Sequence, residues 1–165
     1  MKALLALVAC LLVSGCIAVV PIPIAATATA TRAPDTSIPV RATDSFTNRI
    51  NAFRASQGAG PVRQSAILTR AAQAHAQDMS DRGYFSHRSR GGPNGETLMA
   101  RSRAAGCNVR AVAENIAKGQ RGEAEVLEDW ANSSGHRRNM LNRRMTDYGL
   151  GRAGDIWVLK LSSGC

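Results

Sequence analysis

Aromatic side chains are scarce in this sequence: two Trp, two Tyr and three Phe are spread over 165 residues. A core must therefore be built mainly from Ala, Leu, Val, Ile and Met. The platforms on which nucleic-acid bases stack are equally hard to assemble. Acidic residues are also few, 12 against 21 Lys and Arg, and the formal net charge is +9. Such a surplus suggests an anionic neighbour: lipid headgroups, cell-wall polymer or nucleic acid. The bases are almost all Arg and form no block. They run from Arg32 to Arg152, with small pairs at Arg137-Arg138 and Arg143-Arg144. Scattered charge without interleaved aromatics argues against a nucleic-acid partner. There is no internal repeat and no H-E-x-x-H, G-x-S-x-G or Walker pattern, so those zinc-protease, serine-hydrolase and nucleotide-binding signatures are missing.

The N-terminal apolar run, Leu4 to Val13, follows a positive Lys2 and is too short to span a bilayer as a helix. Ser14 and Gly15 then lead to Cys16. Val13-Ser14-Gly15-Cys16 resembles the lipobox of bacterial lipoprotein signals. That resemblance implies cleavage before Cys16 and acyl chains on its thiol and new amino group. Each buried methylene contributes about 0.8 kcal/mol, so more than one chain makes a stable anchor. The alternative is an ordinary cleaved signal peptide. Ile17, not Asp, follows the Cys, which favours the outer membrane in a cell that has two. Beyond it, an Ala-, Thr- and Pro-rich stretch with Pro21, Pro23, Pro34 and Pro39 lacks apolar periodicity and reads as an extended tether. The expected organisation is a signal peptide over 1–15, an acylated Cys and tether over 16–43, and one folded domain over 44–165. Export places the domain in the cell envelope, and association with a membrane through the anchor is expected of a monomer.

Four cysteines allow little choice. Cys10 leaves with the signal and Cys16 carries lipid. Cys107 and Cys165 remain, an even number in an oxidising compartment, and are read as one disulfide. Two free thiols are the alternative.

Within the domain, Asp44 is a candidate N-cap for a helix carrying Phe46, Ile50 and Phe53 on one face. Gly58, Gly60 and Pro61 end it. Ser65 caps a second helix to about Arg82, with Leu68, Ala71, Ala72, His75 and Met79 at helical spacing, stopped by Gly83. A third is expected over Glu96 to Ala105, closed by Gly106. Cys107 to Val112 reads as a strand, Ala124 to Ala131 as a helix, and His136 to Leu141 as a helical turn. Tyr148 to Leu150 and Ile156 to Leu161 are strand candidates. Helices early and strands late predict an α+β fold rather than a βαβ array. Gly149-Leu150-Gly151-Arg152-Ala153-Gly154 fits G-x-G-x-x-G, but the following Asp155 to Val158 looks like a strand, not a helix. A dinucleotide loop is therefore excluded, and the glycines are assigned to a hairpin turn.

Three residues remain for chemistry. His87 follows an aromatic pair at a helix exit, Glu114 lies in the apolar run Ala113-Glu114-Asn115-Ile116-Ala117, and His136 follows Ser133-Ser134-Gly135. A Glu among apolar neighbours needs a partner, or its pKa rises and it neutralises. Two imidazoles and a carboxylate can supply three zinc ligands and leave a position for water. On spacing alone a metal-free polar cluster is the stronger reading. His75, on an apolar helix face, reads as a core residue.

A resemblance adds to this. His75-Ala76-Gln77-Asp78-Met79 with Tyr84-Phe85-Ser86-His87 resembles the first signature of the CAP superfamily of cysteine-rich secretory proteins, antigen 5 and pathogenesis-related 1 proteins. Ala113-Glu114-Asn115-Ile116-Ala117 with Gly119 is similar to its G-E-N-I-A-x-G segment, with Ala113 in place of Gly. Trp130 to Leu141 is similar to the bacterial W-x-x-S-x-G-H-R-x-N-I-L, and Asn51-Ala52-Phe53-Arg54 to the opening N-x-x-R helix. The resemblance implies an α-β-α sandwich around a mainly antiparallel sheet, with His87, His136 and Glu114 in a cleft. The family's second cleft glutamate corresponds to Ser133, which weakens a four-residue catalytic scheme. There is no room for long sterol-binding loops. The expected function is a non-enzymatic, lipid-anchored envelope protein with a cation-capable cleft formed by His87, His136 and Glu114, for which zinc is the candidate cation. The alternatives are a zinc-assisted hydrolase using His87, His136 and Glu114, and a lipid or small-molecule carrier.

Overall fold

Helix α1 (Phe46–Ser56) begins where Ser45 accepts a hydrogen bond from the Asn48 N–H, so Ser45 is the cap. The computed structural model describes residues 45–108 and 110–165. Asp44, the signal segment, Cys16 and the tether lie outside them. Phe46 and Ile50 are buried as the spacing requires, while Phe53 is half-buried. The side chain of Arg54 is buried too. Its guanidinium donates to the carbonyls of Gly60 at 2.6 Å, Met145 at 3.2 Å and Met140. Asn51 clamps the backbone of Val62 at both its N–H and its C=O, at 2.8 and 3.0 Å. The Asn51-x-x-Arg54 motif is thus a device for closing the chain around the end of α1.

The short strand β1 (Arg63–Gln64) follows, then α2 (Ala66–Asp81), capped by Ser65. Helix α3 (Leu98–Ala104) starts two residues later than expected because Thr97 supplies its cap, and Gly106 with φ +98° closes it. Strand β2 (Val112–Lys118), not a strand over 107–112, comes next. Its place is set by pairing: it runs antiparallel to β4 (Ile156–Ser162) from Val112 opposite Ser162 to Lys118 opposite Ile156. Helices α4 (Glu123–Asn132) and α5 (Ser134–Leu141) separate β2 from β3 (Asp147–Ala153). The sheet order is β1-β3-β4-β2, with β1 parallel to β3 and the other pairs antiparallel. No helix among the described residues is long and apolar enough to cross a membrane.

The sheet separates two apolar layers. On one side Phe46, Ile50, Val126, Leu127, Trp130 and Met140, from α1, α4 and α5, meet Trp157, Leu159 and Leu161 of β4. On the other, Ala72, Ala76 and Met79 of α2 meet Ile116, Ile156 and Val158. Each fully buried Leu of β4 contributes about 1.5–3 kcal/mol. This is the α+β sandwich expected, with the small α2 residues explaining how a core poor in aromatics closes.

The glycines of β3 differ from expectation. Only Gly154, at φ +58°, serves the hairpin turn. Gly149 and Gly151 lie inside the strand beneath α2. A Cβ at Gly149 would sit 2.1 Å from the Leu68 carbonyl carbon, and one at Gly151 would sit 2.3 Å from the Gln73 nitrogen. They are glycines because a helix backbone rests directly on them.

Cys107 and Cys165 form a disulfide with a Cα–Cα distance of 5.5 Å. The C-terminal residue is further held by its N–H to Asp147 Oδ2 at 3.2 Å.

Candidate functional site

Strand β2 is an edge strand, and adjacent residues on a strand point to opposite faces. Glu114 and Asn115 therefore address different layers. Asn115 reaches α5: its Nδ2 donates to the His136 carbonyl at 3.1 Å, and its Oδ1 accepts from Asn139 Nδ2 at 2.9 Å. Asn139 also donates to the Glu114 carbonyl at 3.2 Å. The Asn pair pins the helix that carries His136 to the strand that carries Glu114.

Glu114 points into the α2 side, where its side chain is 1% exposed. Lys160, its cross-strand partner on β4, donates to Oε2 at 2.6 Å. Arg101 of α3 lies 3.1 Å from both oxygens. His87 Nδ1 is 3.0 Å from Oε1, and His75 Nε2 is 3.7 Å from it. Lys160, Arg101 and His75 are buried as fully as Glu114, whereas the His87 side chain is 56% exposed. One buried carboxylate thus faces two buried cations and two imidazoles.

Protonation states follow from these contacts. Burial pushes the Glu114 carboxyl up, but the hydrogen bond from His87 and the charges of Lys160 and Arg101 outweigh it and lower it to about 2. It is an anion, and neither oxygen lacks a donor. Its neighbour at the other end, Lys160, is lowered by burial and raised by Glu114. His75 is lowered to about 4, first by burial, with the Glu114 charge opposing and those of Arg101 and Lys160 adding. It is neutral, and because Nε2 lies between the Ser86 carbonyl at 3.1 Å and Glu114, that nitrogen carries the proton. By the same logic His87 donates from Nδ1 to the Glu114 anion. His136 is half-buried on α5. Burial lowers its pKa, and the charge that His87 carries when protonated lowers it further.

The loop leading to His87 is fixed from behind. Gly83, at φ +66°, ends α2 and turns the chain. Arg101 donates to the His87 carbonyl at 2.9 Å and to the Glu96 carbonyl at 2.9 Å, tying both ends of the 87–96 segment to one guanidinium. Ser133, where the second family glutamate would stand, is the N-cap residue of α5 and makes no side-chain cap hydrogen bond.

The sequence motifs single out His87, Glu114 and His136 but not Arg101 or Lys160. Lys160 had a signal: it is the single charge in the apolar strand Ile156–Leu161, in phase with the buried Ile156 and Val158. Arg101 had none, standing among several Arg on a short helix. His75 was read as core, and it is, but as a member of the Glu114 cluster. Among the described residues no group of three or more His, Cys, Asp or Glu is gathered in a way that could hold a metal ion.

A fold with α2 on one face of this sheet, α1, α4 and α5 on the other, and a histidine held by a buried glutamate on edge strand β2 defines a recognisable class. The profile of the CAP, cysteine-rich secretory protein family matches residues 47–156, and the chain belongs to that family. It is 34% identical over 143 residues to the uncharacterized protein YkwD of Bacillus subtilis (strain 168), a match covering 79% of this chain and 54% of that protein. Among solved structures, an extracellular protein containing an SCP domain from Bacillus anthracis str. Ames aligns with a TM-score of 0.66 and 28% identity, over 71% of this chain and 38% of that one. An outer surface protein from Borrelia burgdorferi aligns with a TM-score of 0.64 over 73% of this chain and 90% of that one. At 19% identity this last match shows the fold alone. The chain spans about half the length of the B. subtilis relative it matches.

Proposed function

We propose that this is an envelope binding protein without catalytic activity, exported and lipid-anchored through Cys16, whose CAP domain presents a cleft built on His87 and His136. One observation carries the reading of the cleft. The buried Glu114 holds His87 by Nδ1 at 3.0 Å, so that Nε2 is presented outward. A carboxylate behind a histidine fixes its tautomer and raises its basicity as a metal ligand. Glu114 itself is engaged by Lys160 and Arg101, so it supports His87 from behind while the two imidazoles are the groups left to hold a cation. Two nitrogen ligands make a site weaker than a three-ligand one. The extracellular character of the B. anthracis structural relative supports an envelope location.

Zinc is the cation tested, by calorimetric titration of the wild type, His87→Ala and His136→Ala. Binding in the wild type and its loss in both variants is the expected result. Binding should also fade in acid, as the ligand imidazoles protonate. Equal binding by all three proteins removes the cleft as a cation site. The same His87–Glu114 pair favours a second reading, a hydrolase, because an oriented imidazole is a general base. Hydrolysis of envelope peptides or glycans that disappears with His87→Ala would establish it.

A further inference from the structure

The loop that carries His87 also lines a separate cavity of about 370 Å³, formed by Arg82, Tyr84, Ser86, Arg88 and Arg90. That is the size of a small-molecule site. Three guanidinium-bearing residues and two hydroxyl-bearing ones make its wall, and no carboxylate does. The acids that place the arginines stand outside the lining. Asp78 accepts from Arg82 at 3.2 and 3.4 Å, and Glu96 accepts from Arg88 at 2.9 and 3.3 Å. Arg82 also lies 5.4 Å over the Tyr84 ring and donates to the Arg90 carbonyl. The loop itself is pinned by buried Ser89, which donates to Asp78, and a Cβ at Gly92 would fall 1.9 Å from Ser89 Oγ. Ser86 Oγ accepts the Arg88 N–H at 3.0 Å, which leaves its own hydrogen to donate.

We propose that this cavity binds a phosphate group, separately from the histidine cleft. A planar carboxylate needs few donors: Glu96 takes both Arg88 N–H groups on Oε2 and the Gly91 N–H on Oε1 at 3.2 Å. A tetrahedral phosphate presents acceptors in several directions and suits donors arriving from a helix end and a loop. The Arg88–Glu96 pair is exposed on both sides, 63% and 45%, so it is held loosely and can be exchanged for a ligand. The phosphate has two sources: a lipid headgroup or a soluble phosphate ester. Phe85, 46% exposed between Tyr84 and Ser86, would meet the acyl boundary in the first case and nothing in the second.

The test uses the full chain with Cys16→Ser, so that no acyl chain contributes. Inorganic phosphate is titrated by calorimetry, and vesicles of phosphatidylglycerol or of phosphatidylcholine are tested by sedimentation. Saturable phosphate binding is expected, weakened about tenfold or more by Arg88→Ala or Arg90→Ala, the loss of a charge-assisted hydrogen bond. The double variant Arg143→Ala/Arg144→Ala, which removes more charge elsewhere on the exposed surface, should bind as the wild type does. A headgroup source predicts that phosphatidylglycerol vesicles bind and that Phe85→Ala weakens them without changing inorganic phosphate binding. A soluble source predicts phosphate binding with vesicle binding insensitive to Arg88 and Arg90. Absence of saturable binding to either probe overturns the proposal, as does an equal loss in the Arg143/Arg144 variant, which would reduce the effect to net charge.

Discussion

His75 is the residue on which the buried cluster is most sensitive to acid. In the folded state it stays neutral, its pKa lowered from 6.5 to about 4. The unfolded chain therefore takes up a proton at this position before the folded chain does, and stability falls as pH drops from about 6.5 to about 4. The difference is on the order of 3 kcal/mol. Glu114, lowered from 4.5 to about 2, continues the loss at lower pH, since its anion must be protonated while Arg101 and Lys160 keep their charges. Urea unfolding at pH 7, 5.5 and 4 should show the decline in the wild type. His75→Gln keeps a donor for the Ser86 carbonyl and does not titrate, so its decline over the same interval should be shallower. Parallel curves for the two proteins would show that His75 charges as readily in the folded state. The same residue shows how far sequence reading reaches. Position on an apolar helix face is enough to bury His75, but its partner Glu114 lies 39 residues away and enters only when α2 packs on the sheet.

At the scale of elements, the contact between α2 and β3 is set by two missing side chains. Gly149 and Gly151 alternate along β3 on the face that α2 covers, and the helix backbone lies where their Cβ atoms would be. Gly151→Ala must lift α2 or bend β3, and the expected cost is on the order of 3 kcal/mol, the upper part of the range for overpacking. Gly60→Ala, where a Cβ meets nothing within 4 Å, should change stability by no more than about 0.5 kcal/mol. Denaturant midpoints of the two variants measure the contrast, and a Gly151→Ala protein as stable as Gly60→Ala would mean the helix has room to move. The caps were legible: Ser65, Gly83 and Gly106 act locally and end their helices where they stand. The glycine pair was not, because a Gly in a turn and a Gly under a helix are the same letter. The expected strand over 107–112 moved to Val112–Lys118 for a similar reason. A strand's limits belong to its partner, and β4 pairs with β2 along its whole length.

The whole molecule joins a folded domain, closed by a disulfide, to an N-terminal segment read as an anchor. The Cys107–Cys165 bridge spans 58 residues and, by constraining the unfolded chain, contributes on the order of 2–4 kcal/mol. It also holds Cys165 beside Asp147 and Ser65, at the β1 end of the sheet. The anchor is tested at this scale. Cys16→Ser should shift the protein from the membrane fraction to the soluble one, while the disulfide and the fold persist. Identical fractionation of the variant and the wild type would mean that Cys16 carries no lipid.

The sequence by itself determined the local and the compositional: a domain with helices early and strands late, caps at their ends, an even pair of cysteines, and ordered motifs specific enough to imply the family. These depend on neighbours within a few residues or on residue identity alone. Tertiary structure decided the chemistry around Glu114. A buried charge selects its partners by distance in space. Glu114 found Lys160 on the neighbouring strand and Arg101 on α3, so the carboxylate that spacing offered as a zinc ligand is the counter-ion of two buried cations and the support of His87. Which side of a strand a residue faces follows from its register, and register is a property of the assembled sheet.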